Sequence, residues 1–404
     1  QLFDEKDVLL FPANELIAAE MSVASPELKA QRIDVLNHLS SGKSGIIIVP
    51  ISGLRKVVPP PNVWKSMQLK LKVGDEVDVE KQLKKFVEMG YTRSDMVASP
   101  GEFSVRGGII DIYPLTENDP VRIELFDTEV DSIRYFSLED QRSKEKIDEI
   151  LIGPATETPL QDEHFEKIIG KLEAGLANSL KKIGNEKVRA RLAENIGYEL
   201  EQLRNRQMPE QLYKYLTFAY EESNSLLDYL PVGGIVFVDE ISRVHEMNET
   251  LEKEEAEWYT SLLEEGEIIH GISISHQVQG ILQKSEHSVI YLSLFLRHVP
   301  NTNPQNIVNV SCKQMQNFHG QIHVLKGEIE RWKKGNYTVL FLGSDEERVN
   351  KLERVLSDYG IEAMKIKSSE EMAGGNVQIL KGDLNTGFEL SAYKLAVITE
   401  KEIF

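Results

Sequence analysis

The stretch Gly101-Glu-Phe-Ser-Val-Arg-Gly-Gly-Ile-Ile-Asp-Ile-Tyr-Pro114 decides the fold in the middle of this 404-residue chain. It predicts a strand interrupted by Gly107-Gly108, and we expect this glycine pair to form a bulge that re-aims the strand. Val121-Arg-Ile-Glu-Leu-Phe126 follows and largely alternates apolar and polar residues, as a half-buried antiparallel strand does. With a third candidate strand at Val130–Phe136 and short polar connections, the segment predicts a meander.

The sequence on either side of this segment predicts helices and buried strands. Asp78 is placed to cap a helix that carries Val79, Leu83, Phe86 and Val87 on one face, and Gly90 ends it. A second helix is predicted to start at Ser25-Pro26, with Ile33, Leu36 and Leu39 on one face. Strands are predicted at Ile46–Val49, Gly234–Asp239 and Thr338–Leu342, of which Gly234–Asp239 is expected to be buried. A charged helix is predicted at about 244–265.

Composition restricts the classes of protein. The chain has 46 Lys plus Arg against 65 Asp plus Glu, a formal charge of -19, so a local basic patch is required before nucleic-acid binding is credible. No apolar run approaches the roughly 18 residues of a membrane span, so we expect no membrane partner. The single cysteine, Cys312, excludes an internal disulfide framework and fits a cytoplasmic location, and we expect its side chain to be buried.

Two motifs resemble parts of a nucleotide site. Ser41-Gly42-Lys43-Ser44 lacks the glycine that a phosphate loop needs five residues before Gly42, because Asn37 stands there. The predicted order is helix, loop, strand, the reverse of that motif. Asp239-Glu240 resembles the acidic pair of nucleoside triphosphatases, but without a phosphate loop it has no nucleotide to act on, and the alternative is a solvated or paired strand end.

The sequence offers few other candidates for catalytic or metal-binding residues. The nine histidines show no metal-ligand spacing, and no Ser-His-Asp arrangement is visible. We therefore predict no catalytic residue, no bound metal and no cofactor for this chain. Gln1, followed so closely by a strand-like run, leads us to expect that the sequence is part of a longer protein.

The middle segment resembles domain 2 shared by the excinuclease subunit UvrB and the transcription-repair coupling factors. The resemblance is strong over residues 90–143, and Leu292–His298 and Pro304–Asn309 look like the coupling factors in particular. A tyrosine-rich insertion, which UvrB uses as a DNA-clamping hairpin, is absent between Asn14 and Ser25. The resemblance therefore points to the amino-terminal, non-motor region of a coupling factor.

In this family domain 2 docks onto UvrA, and the resemblance carries over a set of partner-binding residues. Matched positions are Arg93, Arg106 and Glu124, with Arg122 and Phe126 on the same predicted strand face as Glu124. UvrB has a further arginine where this chain has Ser104, which puts one contact in doubt. Without the resemblance, the alternative is an ordinary solvated sheet face.

The implied fold is a multidomain protein of α/β and α+β class. Residues 1–64 and 147–315 form a discontinuous, UvrB-like α/β domain of degenerate P-loop type, residues 65–146 form the inserted UvrA-binding domain, and residues 316–404 form a small α/β domain.

The implied function is to recruit UvrA and the excision machinery to stalled RNA polymerase. In the family, the carboxyl-terminal region of the same protein covers the UvrA-binding surface, whereas RNA polymerase and DNA are engaged by regions outside this segment. The alternatives are a fragment of a UvrB-type DNA-dependent ATPase or helicase, and a structural shell that restrains the motor.

Overall fold

The computed structural model describes residues 7–13, 25–209, 211–220, 224–295, 302–368 and 371–404. The chain divides into two compact units, one within Lys6–Asn301 and the other within Thr302–Phe404. The expected absence of an aromatic insertion after Asn14 lies outside the described residues, as does the last part of the motif at 292–298.

The first unit begins with a small α/β part. Strands β1 (Val8–Leu10) and β2 (Ile46–Ile48) pair in parallel, and helix α1 (Pro26–Ser40) lies between them in the chain. The helix starts at Pro26, as predicted, and the three predicted inward residues are buried. Two short helices follow, α2 (Ile51–Leu54) and α3 (Pro61–Ser66).

The chain then forms β3 (Leu69–Lys72) and α4 (Val79–Glu88). The Asp78 carboxylate caps α4 by accepting a hydrogen bond from the Lys81 amide, which confirms the predicted start of the helix. Phe86 is fully buried, but Val87 is 58% exposed, so its predicted place on the buried face is wrong. Val87 directly follows Phe86, and a step of about 100° around the helix carries it out of the apolar stripe.

The middle of the unit is a six-stranded sheet. Its strands are β4 (Thr92–Arg93), β5 (Glu102–Arg106), β6 (Ile109–Ile112), β7 (Val121–Phe126), β8 (Glu129–Phe136) and β9 (Ser143–Ile147). They lie side by side in sequence order, and every pair from β5 onward is antiparallel. This arrangement confirms the predicted meander.

The glycine pair forms a hairpin turn, so the predicted bulge at this position is wrong. Arg106 pairs with Ile109 across the two glycines, and Gly107 has a φ of 60°, the pattern of a type II′ turn. A Cβ on Gly108 would lie 2.8 Å from the Leu125 carbonyl oxygen. The glycines therefore close the β5–β6 hairpin and let β7 pass close beside it.

The bulge lies instead in β8. Asp131 is the extra residue, because Glu124 pairs with Ser132 and the next residue of β7 pairs with Val130. Val130 and Ile133 are three residues apart, and strict alternation would place them on opposite faces of the sheet. The extra residue places both in the core, where they are 0% and 1% exposed.

After the sheet the chain returns to helical structure. Strand β10 (Glu149–Ile152) pairs antiparallel with β3, so the segments that lead into and out of the sheet lie side by side. The elements that follow are α5 (Asp162–Lys182), α6 (Glu186–Arg204), α7 (Leu216–Ala219), β11 (Ile235–Asp239), α8 (Ile241–Glu265), α9 (Val278–Lys284) and β12 (Ser288–Leu292). None of the described helices is both long enough and apolar enough to cross a membrane.

Strand β11 is confirmed as a strand, but the prediction that it is buried is wrong. Ile235 and Phe237 are 52% and 61% exposed, whereas Val238 is buried. β11 pairs in parallel with β12 alone, and the two strands form a separate two-stranded sheet. Within the described residues this sheet is covered on one face only.

The second unit contains another six-stranded sheet. Its elements are β13 (Cys312–Gln314), α10 (Ile322–Lys334), β14 (Thr338–Gly343), α11 (Glu346–Asp358), β15 (Met364–Lys365), β16 (Val377–Lys381), β17 (Phe388–Leu390), β18 (Leu395–Thr399) and α12 (Glu400–Ile403), with the strand order β13-β17-β18-β14-β16-β15. The central strand β14 pairs in parallel with β16 and β18. Cys312, which we expected to be buried, is exposed on the edge strand β13.

Asn37 joins α1 to the connections of the middle sheet. Its side-chain oxygen accepts hydrogen bonds from Trp64 Nε1 at 3.0 Å and from Gln68 Nε2 at 3.2 Å. Gly153 packs so closely that a Cβ there would lie 2.5 Å from the Asn37 amide nitrogen. Asn37, the residue in place of the phosphate-loop glycine, thus has a structural role at this junction.

A buried ion pair supports the same junction. Arg32 of α1 is 0% exposed, donates from Nη2 to Glu157 Oε2 at 2.9 Å, and donates from Nη1 to the Pro12 carbonyl oxygen at 3.1 Å. Glu157 follows β10, so this pair ties the end of the middle segment to the first helix. Buried pairs of this kind fix geometry, because loss of one partner leaves the other charge uncompensated.

We expect Asn37→Ala to destabilise the protein by about 1–3 kcal/mol, because Trp64 Nε1 and Gln68 Nε2 would lose an acceptor in a buried setting. Asn178→Ala is the matched control, since Asn178 is an exposed residue inside helix α5. Urea unfolding of both variants measures the difference. Equal stability of Asn37→Ala and the control would contradict the role assigned to Asn37.

Candidate partner-binding surface

The six-stranded sheet has an inner and an outer face. The inner face packs against α4, where Phe103 contacts Phe86 and Ile110, Ile123 and Ile133 join the same core. The outer face carries the polar side chains of β5 to β8, defined here by Arg106, Asp111, Arg122, Glu124 and Arg134. These positions alternate with the core residues, as the two-residue period of a strand requires.

Strand register arranges the outer face in two cross-strand rows. One row is Ser104, Asp111, Arg122, Arg134 and Lys146, and the other is Arg106, Ile109, Glu124 and Ser132. Paired residues in such rows have Cβ atoms about 5 Å apart, so their charges interact directly. The outer face is therefore one connected set of charges.

Asp111 lies at the centre of this set. Its carboxylate is 1% exposed and accepts from Arg122 Nε at 2.7 Å and from Arg122 Nη2 at 2.8 Å, which is the two-bond geometry of a strong ion pair. Arg106 Nη2 lies 3.5 Å from Asp111 Oδ2. One buried carboxylate thus faces two guanidinium groups.

Arg122 uses its donors inside the protein. Besides the Asp111 pair, its Nη2 donates to Gln141 Oε1 at 3.2 Å, and its guanidinium carbon lies 4.5 Å from the centre of the Phe136 ring. The hydrogen bonds to Asp111 raise the pKa of the Arg122 guanidinium above its ordinary value. Its side chain is only 15% exposed, so the structure gives it a supporting place beneath the surface.

Glu124 is also paired within the sheet. Arg134 and Ser132 of the neighbouring strand both donate to its carboxylate, the latter at 2.9 Å. Its side chain is 29% exposed, so a partner can reach part of it.

Arg106 and Phe126 are the exposed members of the predicted set on the outer face. The Arg106 side chain is 56% exposed and Phe126 is 79% exposed. Arg106 precedes the glycine turn, and Phe126 ends β7 at the hairpin that leads into β8, so both lie toward the same end of the sheet. An exposed arginine and an exposed aromatic ring on one surface are a common composition of binding surfaces.

Arg93 lies apart from this group. It is exposed on the edge strand β4 and pairs with the inward-facing Phe103, three residues along β5 from Arg106, so strand alternation places it on the opposite face of the sheet from Arg106. Three residues of extended strand span about 10 Å. Among the described residues it has no ion-pair partner, so its charge is available to a ligand. The structure thus brings together Arg106, Arg122 and Glu124, and leaves Arg93 at the edge.

Sequence reasoning missed Asp111, Arg134 and Phe136 as parts of this surface. A signal for Asp111 was present, since an acidic residue breaks the apolar run Ile109-Ile-Asp-Ile112. A carboxylate inside a short strand of isoleucines requires a partner on the neighbouring strand. The register that brings Arg122 to that place depends on the loop between β6 and β7, which the sequence does not specify.

The two motifs that resemble parts of a nucleotide site, at 41–44 and at 239–240, lie on other elements than the six-stranded sheet. Gly42, with a φ of 70°, ends α1, and the exposed Lys43 leads into β2, so the order is helix, loop, strand as predicted. Asp239 is exposed at the end of β11, and Glu240 accepts a hydrogen bond from the Leu294 amide at 2.7 Å. Within the described residues, no three His, Cys, Asp or Glu side chains are grouped to hold a metal ion.

A cavity of about 310 Å³ lies between α8 and the loop at 272–277. Arg55 lines it, is 5% exposed, and donates to Ser275 Oγ at 2.8 Å and to Glu255. Its charge is compensated by the acidic helix, so the cavity offers little to an anionic ligand.

We expect Arg122→Ala to destabilise the protein by about 3 kcal/mol, because it leaves the Asp111 carboxylate buried without its main partner. Arg106→Ala, which removes an exposed cation from the same carboxylate, should cost less than about 1 kcal/mol. Urea denaturation separates these values. A larger loss for Arg106→Ala than for Arg122→Ala would show that the two arginines have the opposite roles.

Comparisons with known proteins agree on the identity of this region. A family model described as the UvrB interaction domain matches residues 69–157, and one described as the MFD, D3 domain matches residues 332–403. The transcription-repair-coupling factor of Bacillus subtilis is 52% identical over 403 residues, and those of Staphylococcus epidermidis and Staphylococcus aureus are 37% and 36% identical. All of this chain is covered, but it spans only about a third (34%) of each relative's length. Over its whole length this chain is similar to the amino-terminal third of the transcription-repair-coupling factors, and the match to the UvrB interaction domain lies within that part.

Proposed function

We propose that this chain is a docking region that recruits UvrA, and with it the excision machinery, to RNA polymerase stalled at DNA damage. The observation that carries the proposal is the match of the UvrB interaction domain to residues 69–157, the segment that contains the whole six-stranded sheet. The names of the relatives supply the context of transcription-coupled repair.

The outer face of this sheet is the proposed docking surface. It presents Arg106 and Phe126 to solvent and leaves part of Glu124 accessible. We include Arg93 in the proposal because it is exposed on the adjoining edge strand β4. A guanidinium keeps its charge when partly desolvated and can fork onto a carboxylate, so we expect acidic side chains on UvrA to meet these arginines. Arg122 was predicted as a direct contact, and we propose instead that it supports the surface through its ion pair with the buried Asp111.

We propose that the chain is divided into three domains. Residues 1–64 and 147–315 would form the UvrB-like domain, 65–146 the insert and 316–404 the small domain. The pairing of β3 with β10 and the family match to residue 157 support a somewhat longer insert, because both strands that bound the sheet belong to one core with it. The compact unit at the carboxyl end begins near Thr302.

The proposed docking function agrees better with the contacts of Asn37 and Glu240 than the alternative, a fragment of an ATPase, does. In a phosphate loop, backbone amides at a helix start cradle the phosphates. Here the Asn37 side chain accepts hydrogen bonds from Trp64 and Gln68, and Glu240 accepts one from the Leu294 amide. RNA polymerase and DNA would be engaged by other regions of the full-length relatives, and the carboxyl-terminal region would cover the docking surface in the whole protein.

We expect Arg106→Ala and Arg93→Ala to weaken UvrA binding, Arg106→Ala by about 30-fold or more if its charge pair with UvrA is desolvated. Arg354→Ala is the charge-matched control, because Arg354 is an exposed arginine in the Thr302–Phe404 unit. Calorimetry against UvrA gives the affinities, with circular dichroism to verify folding. Wild-type affinity in both folded variants would place the interface elsewhere.

We expect no saturable ATP binding in the micromolar range, because no phosphate loop precedes a helix start around Lys43. Equilibrium titration of labelled ATP with magnesium provides the test. Saturable binding that is lost in Lys43→Ala would favour the ATPase-fragment alternative.

A further inference from the structure

We propose that Asp111 is a positioning residue for the docking surface, one that holds the Arg106 guanidinium in the orientation in which it meets an acidic group of the partner. This inference rests on the proposed docking function. At 1% exposure Asp111 is too deeply buried to contact a partner itself, so any effect it has on binding must pass through the side chains that it holds.

The Asp111 carboxylate has a fixed position. Both of its oxygens accept from Arg122, at 2.7 and 2.8 Å. Arg122 is in turn held by Gln141 Oε1 at 3.2 Å and lies over the Phe136 ring at 4.5 Å. Because its main partner is itself held by Gln141 and by the Phe136 ring, Asp111 has a fixed place on the outer face.

This fixed charge acts on a side chain that is otherwise largely exposed. Arg106 is 56% exposed, and its Nη2 lies 3.5 Å from Asp111 Oδ2. Immobilising a long, exposed side chain costs binding free energy, and a pre-ordered guanidinium costs less. Asp111 therefore lowers the entropic cost of using Arg106 as a contact.

The charge balance also indicates the chemistry of the partner. Asp111 carries one negative charge and faces the two positive charges of Arg106 and Arg122. The stronger, two-bond pair belongs to Arg122, so Arg106 retains donors and net positive charge toward solvent. A carboxylate on the partner is the group that a planar guanidinium in this setting binds best.

Two other roles for Asp111 give different results. If Asp111 only supported the fold, its loss would weaken binding whether or not Arg106 is present. If Asp111 competed with the partner for Arg106, its loss would tighten binding. A double-mutant cycle separates all three, because only the positioning role requires Arg106 for the effect.

The test measures UvrA affinity by calorimetry for wild type, Asp111→Asn, Arg106→Ala and the double variant. We expect Asp111→Asn to lower affinity by about 3- to 10-fold when Arg106 is present, and by less than about twofold in the Arg106→Ala background. Equal losses in both backgrounds, no loss, or tighter binding would each overturn the proposal.

Asp358→Asn is the matched control. It makes the same chemical change at an exposed aspartate at the end of α11, in the Thr302–Phe404 unit, so it should leave the affinity unchanged. If Asp111→Asn does not fold, Arg122→Lys replaces it in the cycle, since it loosens the hold on Asp111 while keeping every charge. Its loss of affinity must likewise depend on Arg106, and an equal effect in both backgrounds, or none, would again overturn the proposal.

The design separates this inference from the docking function. If wild-type chain fails to bind UvrA, the proposed function fails. If wild type binds and Arg106→Ala weakens binding while Asp111→Asn does not, docking stands and the positioning role alone is wrong.

Discussion

A sheet that buries one face must keep its polar side chains on the other, and the organisation of residues 69–157 depends on this constraint. The inner face is committed to α4 through residues such as Phe103 and Ile123. Alternate positions of β5 to β8 are thereby left for polar side chains, among them Arg106, Asp111 and Arg122. One of these positions is the buried carboxylate of Asp111, which is stable there only because Arg122 compensates it. The exposed guanidinium of Arg106 lies 3.5 Å from the same carboxylate.

The junction between the sheet and the first helix is held by specific side-chain contacts. Asn37 stands where a phosphate loop has glycine, and it bonds to Trp64 and Gln68 instead of lying beside a ligand. Arg32 and Glu157 form an ion pair at the same place. Asn37, Arg32 and Glu157 thus fasten the segment that carries the sheet to the first helix. A junction held by these contacts fits the proposed role of the sheet in presenting side chains to a partner.

Local signals predicted much of this structure. The Asp78 cap, the start of α1 at Pro26 and the alternation of β7 are encoded within a few residues, and all three are present. Features that depend on distant neighbours were not predictable. Gly107-Gly108 reads equally well as a bulge or a turn until β6 is placed, and an apolar strand reads as buried whether or not a layer covers it, as Phe237 shows. The fixed position of Arg122 required the register with Asp111, so the sequence identified Arg106 and Arg122 but not Asp111, the carboxylate that both of them face.

Hydroxyl-radical footprinting tests the docking surface most directly, because it reports the solvent access of single side chains. Phe126 is 79% exposed on the outer face, while Tyr198 and Tyr393, at 64% and 72%, lie on α6 and in the second unit and serve as internal references. If UvrA binds the outer face, its addition should lower the oxidation of Phe126 and leave both tyrosines unchanged. Unchanged oxidation of Phe126 together with protection of either tyrosine would contradict the assignment of this face as the UvrA-binding surface.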